Sequence, residues 1–534
     1  MKDLQTDEKL ANAKTSYDDF PYANYSFSYA CPEHLYTIAK VFGLKPSSVD
    51  TAKVLDMGCG SGGNIMGFAG RYPKSHSIGV DLSKVQIDYG NNIVDKLGLT
   101  NIDLKHMSIT DIDESFGKFD YIICHGVFSW VPKEVQDKIL DISKKLLTPN
   151  GIAYVSYNTL PGWNIISTFR EMLQFHTDSF ARDEDKLVQA RAFLQFIQEG
   201  LEGSNTPYYK CLKNEVSIIN SVDNSYLKHE YLDRGNTQFY FSDFMKMASS
   251  HGFNYLADTH LPSMYLGNIP EKARAELQSI NDIVRSEQYM DFINNRRFRS
   301  TLLCHNNLSL KRNIESDVLE DMWLAMQVVP DVPVEKLDFT NPSLSTSFTI
   351  NPNTQSGQCT IDNSFISAAF YAFAESSGIY LSMDDIVKYI KAKCPNFSEK
   401  NDREAVRLQL LTMLFKGVLT IRAIKPLSAS KISEKPAISE LALMQLTNNS
   451  PIIYNQLNDS INVGALDRIV MLYLDGKSNI DQIVQKVSDM LVHSGNDLQI
   501  EGKTVTDKGQ RMQLIKDLVN NSLQFCLSYA FLVE

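Results

Sequence analysis

No run of about 18 consecutive apolar residues occurs in this chain, so no membrane-spanning helix is expected. No C-x-x-C pair occurs among the eight cysteines, which stand at 31, 59, 124, 211, 304, 359, 394 and 526, several of them in apolar runs. That scatter argues against a disulfide framework or a zinc site and predicts reduced thiols with no metal. The first nine residues are polar and lack the apolar core of a signal peptide, so the expected location is the cytoplasm. An excess of positive charge is also missing. With 63 acidic against 52 basic side chains the net charge is −11, which disfavours nucleic acid as a partner and suits a lysine-bearing one. Internal repeats and low-complexity tracts are absent. What remains is 534 residues with 43% apolar content, ordinary for globular chains and enough for about three domains.

The most informative stretch is Val54-Leu55-Asp56-Met57-Gly58-Cys59-Gly60-Ser61-Gly62-Gly63, followed by Asp81 at the end of Ser77-Ile78-Gly79-Val80. A dinucleotide site brings a pyrophosphate to a helix N-terminus, where backbone N–H groups favour anions. A carboxylate two residues before the first glycine opposes that. S-adenosylmethionine has no phosphate but carries a cationic α-amino group and a sulfonium, which an acidic strand end stabilises. Asp81 stands where an acceptor for two ribose hydroxyls is needed. The expected cofactor is therefore S-adenosylmethionine, leaving as S-adenosylhomocysteine.

Apolar runs at 54–56, 77–80, 102–106, 119–124 and 152–157 alternate with helical spacing at 65–72, 84–97 and 132–147. Such alternation predicts an α/β fold, a Rossmann-like parallel sheet whose ligands bind at the carboxyl ends of the strands. The candidate cofactor residues are Asp56, Gly58, Cys59, Gly60 and Asp81, then Leu82 and Gln86 after it, Ser108 and Ile109 after the third strand, and His125 and Gly126 after the fourth. Ser108 to Asp111 either border the adenine or form a solvated loop. Gly126 permits close backbone approach to the methionine portion.

Were the methyl acceptor a lysine, it would have to be neutral, and with a reference pKa near 10.4 only about one in 2,500 is neutral at pH 7, so an apolar channel would be required. Aromatic walls supply one and hold a methylated cation by its attraction to the ring face. The candidates are Tyr17, Tyr22, Phe128, Trp130 and Tyr157, with Asn158 as an amide partner and His125 as a base or a packing residue. Trp130 is equally consistent with simple core packing. The aromatic segment 17–29 is read either as a lid over the cofactor or as an anchor for the tail.

Beyond the fifth strand, residues 163–236 are helical by spacing and are read as an insertion, with a helix at 241–248 that Ser242 is expected to cap. A strand at 251–258 and a hairpin partner at 300–304 close the catalytic domain, 1–307. Arg296, Arg297 and Arg299 are either a substrate-facing basic cluster or a solvated helix end pairing with Glu287 and Asp291. Residues 308–430 read as a winged-helix-like unit for protein interaction or packing, and 431–534 as a helical unit.

Tyr17-Asp18-Asp19-Phe20-Pro21-Tyr22, Pro32-Glu33-His34-Leu35, Leu55-Asp56-Met57-Gly58-Cys59-Gly60, His125-Gly126-Val127-Phe128-Ser129-Trp130 and Val155-Ser156-Tyr157-Asn158-Thr159-Leu160-Pro161-Gly162-Trp163 together resemble class I methyltransferases carrying a methyltransferase regulatory domain. His229-Glu230-Tyr231-Leu232, Glu287-Gln288-Tyr289-Met290-Asp291-Phe292 and Asn295-Arg296-Arg297-Phe298-Arg299-Ser300 look like that regulatory segment, about 217–300. Length and the C-terminal half are most similar to rickettsial protein lysine methyltransferases acting on outer membrane protein B. The resemblance implies a protein substrate with exposed lysines, and a homodimer is compatible with it. Two other functions compete: a small-molecule methyltransferase, and a noncatalytic scaffold that binds S-adenosylmethionine.

Overall fold

Val54, Leu55 and Met57 have no exposed surface, and neither do Tyr121, Ile122, Ile123 and Cys124. Unbroken apolar runs of this kind are what parallel strands covered on both faces require. The computed structural model describes residues 16–22, 24–350, 357–493, 499–500, 503–504 and 507–534, and the polar start of the chain lies outside the described residues. After a short helix α1 (Ser16–Asp19) and α2 (Pro32–Val41), five parallel strands follow: β1 (Lys53–Met57), β2 (His76–Asp81), β3 (Ile102–His106), β4 (Phe119–Cys124) and β5 (Leu147–Asn158). They are joined in part by α3 (Gly63–Arg71), α4 (Lys84–Leu97) and α5 (Lys133–Leu146). β7 (Phe298–His305) and β6 (Phe253–Asp258) extend the sheet antiparallel, giving the order β3-β2-β1-β4-β5-β7-β6. Strand order reverses at β1, between β2 and β4, and the crevice above that point is where such sheets bind ligands.

Alternation along β5 divides its side chains between the two faces of the sheet. Ile152 and Tyr154 join the core beneath α2 and α3, while Ala153, Val155 and Tyr157 join the core beneath α5. After β5 the chain leaves the sheet for α6 (Trp163–Thr177), α7 (Asp183–Gly200) and α8 (Pro207–Ser221), which enclose a core of their own around Leu173, Leu194 and Leu212. A π-helical turn, Leu227–Leu232, brings the chain back.

The next helix, α9 (Phe241–Ser250), begins one residue before Ser242, so Ser242 is not its cap. The Ser242 N–H instead donates to Gln288 Oε1 at 3.0 Å, a group on α10 (Ile283–Asn294). With α10 between them, β6 and β7 are antiparallel neighbours but not a hairpin. The arginine run is ion-paired throughout, with Arg299 buried and Arg296 and Arg297 half-buried. Arg299 has no exposed side-chain surface and pairs with Glu287 at 2.9 Å and Asp291 at 2.8 Å, Arg296 pairs with Asp258 at 3.2 Å, and Arg297 with Glu215 at 3.4 Å.

The middle unit sets β8 (Trp323–Met326) between β12 (Leu381–Ser382) and β13 (Leu419–Arg422), with a second sheet of β9 (Val328–Pro330), β10 (Thr346–Ile350) and β11 (Gly357–Ile361). Its helices α11 (Ser364–Ser376), α12 (Met383–Lys393) and α13 (Glu399–Phe415) share a continuous core with α2 and α3. The last unit contains α14 (Glu440–Thr447), the hairpin β14 (Ile453–Tyr454) and β15 (Ser460–Ile461), α15 (Ala465–Met471), α16 (Ile480–His493) and α17 (Lys508–Ser528), around a separate core that includes Val470, Val487 and Val519.

That hairpin grips the aromatic N-terminal strap. Ser460 Oγ accepts from the Ser26 N–H at 3.0 Å and donates to Ser26 O at 2.9 Å, Tyr454 O–H donates to Asn24 O, and Asn458 Nδ2 donates to Asn64 O on α3 at 3.1 Å. Gly63 makes this closeness sterically possible: a Cβ there would overlap Asn24 Oδ1 and lie 2.6 Å from Tyr25 O and 2.7 Å from the Tyr454 hydroxyl. Gly63→Ala is therefore expected to cost about 1–3 kcal/mol and to loosen the strap. Limited proteolysis reads it: faster cleavage ahead of residue 32 is the expected result, and an unchanged rate would contradict the clamp.

Candidate active site

Two carboxylates face the crevice above β1. Asp56, the last residue but one of β1, is 2% exposed, and no cationic side chain pairs with it among the described residues. Burial and the neighbouring Asp81 charge push its carboxyl up to about 7, against a smaller pull from Asn64. Asp81 ends β2, where its Oδ2 accepts from the Gly60 N–H and its Oδ1 from the Ser83 N–H, each at 2.8 Å. Burial raises its carboxyl too, with these backbone bonds opposing the rise. Between the two, Gly58, Gly60 and Gly62 all have positive φ, and a Cβ on Gly58 would overlap Val127. Only glycine takes both the left-handed turn and that approach. Cys59 contributes backbone alone, since its thiol packs beneath the loop against Gly79. Gln86 is buried at the start of α4, close beside Gly60, and Leu82 is 41% exposed beyond Asp81. Ser108 and Ile109 are half-buried at the end of β3, where the Ser108 hydroxyl caps a short turn, and Asp111 is exposed.

At the end of β4, Gly126 has φ +67° and a Cβ there would meet nothing within 4 Å, so open space lies beside this backbone. Its N–H donates to Ser156 Oγ at 2.8 Å. His125 Nδ1 lies 2.8 Å from the Tyr154 hydroxyl, which in turn reaches Ser300 Oγ at 3.0 Å. Burial pulls the His125 imidazole down to about 4, so it is neutral at pH 7. Phe27 of the strap lies over it with ring centroids 4.0 Å apart, and Tyr29 and Phe298 flank it.

Tyr17 and Tyr22 meet at His229 on the π-helical turn, 4.3 and 4.9 Å between ring centroids, and His229 is fixed by Asp233 and Phe20 O at 2.8 Å each. The same short helix docks on α4, with Asp18 Oδ1 accepting from Ser83 Oγ at 2.7 Å. Trp130 is half-buried, edge-on to Trp163 and under the Arg170 guanidinium, so it packs on the inserted helices. Phe128 is wholly buried against Phe239 and Phe244 and walls no channel. Tyr157 is likewise no channel residue: it is 1% exposed, stacks on Phe244 at 4.1 Å and bonds Thr301 Oγ1 at 2.9 Å. Asn158, next along, is buried with Nδ2 lacking a hydrogen-bond partner among the described residues, as a group awaiting a ligand would be.

The donor set fits a cationic, phosphate-free nucleoside: a buried carboxylate without a counter-charge among the described residues, a second carboxylate at the end of the neighbouring strand, and open space beside Gly126. Models of three families match the chain, a methyltransferase domain over 48–198, a predicted methyltransferase regulatory domain over 223–305 and a PKMT C-terminal winged helix domain over 434–531. The uncharacterized protein RP789 of Rickettsia prowazekii is 38% identical over 518 residues, 97% of this chain and 93% of that one. PKMT2 from Rickettsia typhi, solved in complex with AdoHcy, superimposes with a TM-score of 0.90 at 42% identity, covering 96% of this chain and 100% of that one. The chain belongs to the PKMT family of S-adenosylmethionine-dependent methyltransferases. The shorter RP028 of Rickettsia prowazekii is 53% identical over 243 residues, 46% of this methyltransferase and 97% of that chain.

In this methyltransferase the winged-helix match falls on 434–531, the stretch read from sequence as helical, and not on 308–430. Its β14 and β15 are two residues each, too short to leave an alternating pattern. Among the described residues no three His, Cys, Asp or Glu side chains gather as a metal ion would require, and no helix is long and apolar enough to cross a membrane. Site features missed from sequence are the Tyr154 and Ser156 contacts to His125 and the placement of Phe27 and Glu230. Alternation points to the first pair, and the other two lie in segments already singled out.

Proposed function

We propose that this enzyme is a protein lysine N-methyltransferase that acts in the cytoplasm on lysine side chains of an outer membrane protein. The observation that carries the reading is the match, over nearly the whole of both chains, to a PKMT solved with AdoHcy. The site supports it. Asp56 would take the α-amino group of S-adenosylmethionine, Asp81 the ribose hydroxyls, and Leu82, Ser108 and Ile109 the adenine side, with Gly58, Gly60, Gly126 and the Cys59 backbone giving close approach and Gln86 backing the loop. The cofactor supplies an activated methyl group. The chain's task is to hold a neutral amine in line with it, about 3–3.5 Å away, in a space screened from water. Neutral His125, Asn158 Nδ2 and the rings of Tyr17, Tyr22 and Trp130 are the groups proposed to do so. Self-association as a homodimer is supported by the inserted helices, which expose Phe175 and Phe196 by 86% and 70%.

The test is transfer from methyl-labelled S-adenosylmethionine to unfolded outer-membrane-protein fragments, mapped by mass spectrometry. Label is expected on lysine side chains. Asp81→Ala, which removes charged hydrogen bonds to ribose, should weaken cofactor binding by about 1.5–3 kcal/mol and remove the label. Cofactor binding with no label on protein would send the search to small acceptors.

A further inference from the structure

The π-helical turn presents a half-buried carboxylate, Glu230, whose Oε2 is shielded from solvent and has no hydrogen-bond partner among the described residues. Arg170, the cation that acts most strongly on it, directs its Nη1 to the Glu230 backbone carbonyl and its Nη2 to that of Asp233, with the guanidinium 5.2 Å from the centre of the Trp130 ring. His229 is fixed by Asp233 and Phe20 O. Tyr17 on α1 and Tyr22 in the strap pack on the adjoining His229 at 4.3 and 4.9 Å between ring centroids, and they, Tyr226 and Arg170 on α6 are the groups of other elements that interact electrostatically with Glu230. Tyr17 also feels the Asp81 charge, and α1 reaches from Ser83, two residues beyond Asp81, to the π-helical turn: Asp18 accepts from Ser83 Oγ at 2.7 Å while the Tyr17 ring stacks on His229 at 4.3 Å. Buried unpartnered carboxylates are rare, and π-helical turns are frequent at functional sites. A carboxylate next to a cluster of tyrosine rings has the composition of a receptor for an alkylammonium group.

We propose that Glu230 receives the ammonium group of the substrate lysine and accepts its proton before methyl transfer. This rests on the lysine methyltransferase reading. In the step, one N–H bond of the ammonium breaks, its electron pair stays on Nζ as the attacking lone pair, and the proton goes to Glu230 Oε2 and from there to water. Burial pushes the Glu230 carboxyl up to about 7, with Arg170 and His229 opposing, which matches a base working near neutral pH. Desolvation among the rings lowers the lysine toward it.

The experiment measures kcat and KM of the full-length enzyme on unfolded outer-membrane-protein fragments from pH ~6 to ~9, for the wild type, Glu230→Gln and Glu230→Asp, with S-adenosylhomocysteine affinity measured in parallel. The wild-type rate should climb about tenfold per pH unit below ~7 and then level. Glu230→Gln should lose about 100-fold in kcat and that acid limb, with S-adenosylhomocysteine affinity within about twofold, and Glu230→Asp should restore the limb at a lower plateau. A wild type that labels lysine together with a Glu230→Gln enzyme of equal rate and unchanged pH profile overturns this role alone. A Glu230→Gln enzyme that loses about tenfold or more in S-adenosylhomocysteine affinity assigns the residue to the cofactor side and also overturns it. A wild type that labels no lysine overturns the lysine reading first, and this role with it.

Discussion

S-adenosylhomocysteine affinity should rise with pH from about 5 to about 7 and level off above, and Asp56→Asn should abolish the rise and weaken binding about 30- to 100-fold. The cause is the place of Asp56 as the last residue but one of β1, 2% exposed, with Asp81 as its charged neighbour. Its carboxyl is pushed up to about 7, so in the free protein it holds a proton at pH values where an ordinary Asp has lost it. With Asp56 in the proposed contact with the α-amino cation of the ligand, the carboxylate form is favoured, so binding should expel that proton and strengthen as pH climbs through the folded value. The sign for stability follows from the same shift. A carboxyl raised in the folded state contributes stability that is complete below the ordinary Asp value of about 4 and is lost as pH rises through about 7. The stabilisation conferred by the ligand should therefore be larger at pH 7.5 than at pH 5, each pKa unit being worth about 1.4 kcal/mol. Calorimetric titration in buffers of different ionisation enthalpy checks both statements. Proton release near zero with a flat affinity would remove Asp56 from contact with the cation.

The sheet and the cofactor crevice were legible because their determinants are local. Apolar runs, a glycine turn and an acidic residue at each strand end need no partner to be seen, and the register places Asp56 opposite Gly79 and Asp81 opposite His106. Tyr157 shows where local reading stops short. Both Tyr157 and Asn158 stand at the end of β5, but only Tyr154 and Ser156, on the Asn158 side of the alternation, touch His125. The parity was there to be used. Ser242 fails for another reason: its N–H is met by Gln288, 46 residues away, which no capping pattern reveals. The strap's clamp joins Ser26 to Ser460 across 434 residues, and contacts of that span leave no trace in either segment alone.

Arg299→Met should destabilise the catalytic domain by about 3–5 kcal/mol at pH 7.5, lowering its unfolding temperature by about 10 °C. The guanidinium has no exposed surface, bonds Glu287 and Asp291 and lies 3.8 Å from the centre of the Phe241 ring. Asp258, at 3.7 Å, is a third carboxylate in the same space. Removing the cation leaves three acids sharing Arg296 alone, which reaches Asp258 at 3.2 Å and Asp291 at 3.6 Å but is not paired with Glu287, and it is this under-compensated charge in a dry interior, more than the lost contacts, that carries the cost. Burial already raises the Glu287 and Asp291 carboxyls, with Arg299 as the main force holding them down. Without it they rise further, and folding then takes up protons. Stability of the variant is accordingly present at low pH and lost as pH rises through the raised values, so the gap to wild type should narrow from pH 8 toward pH 5. A second change, Glu287→Gln in the Arg299→Met background, should recover part of the loss, because it removes one of the stranded charges and leaves volume nearly unchanged. Thermal unfolding of the two variants across that pH range decides the matter. A pH-independent loss, or no recovery in the double variant, would mean that Arg299 supports β7 by packing against Phe241 and that its charge is incidental.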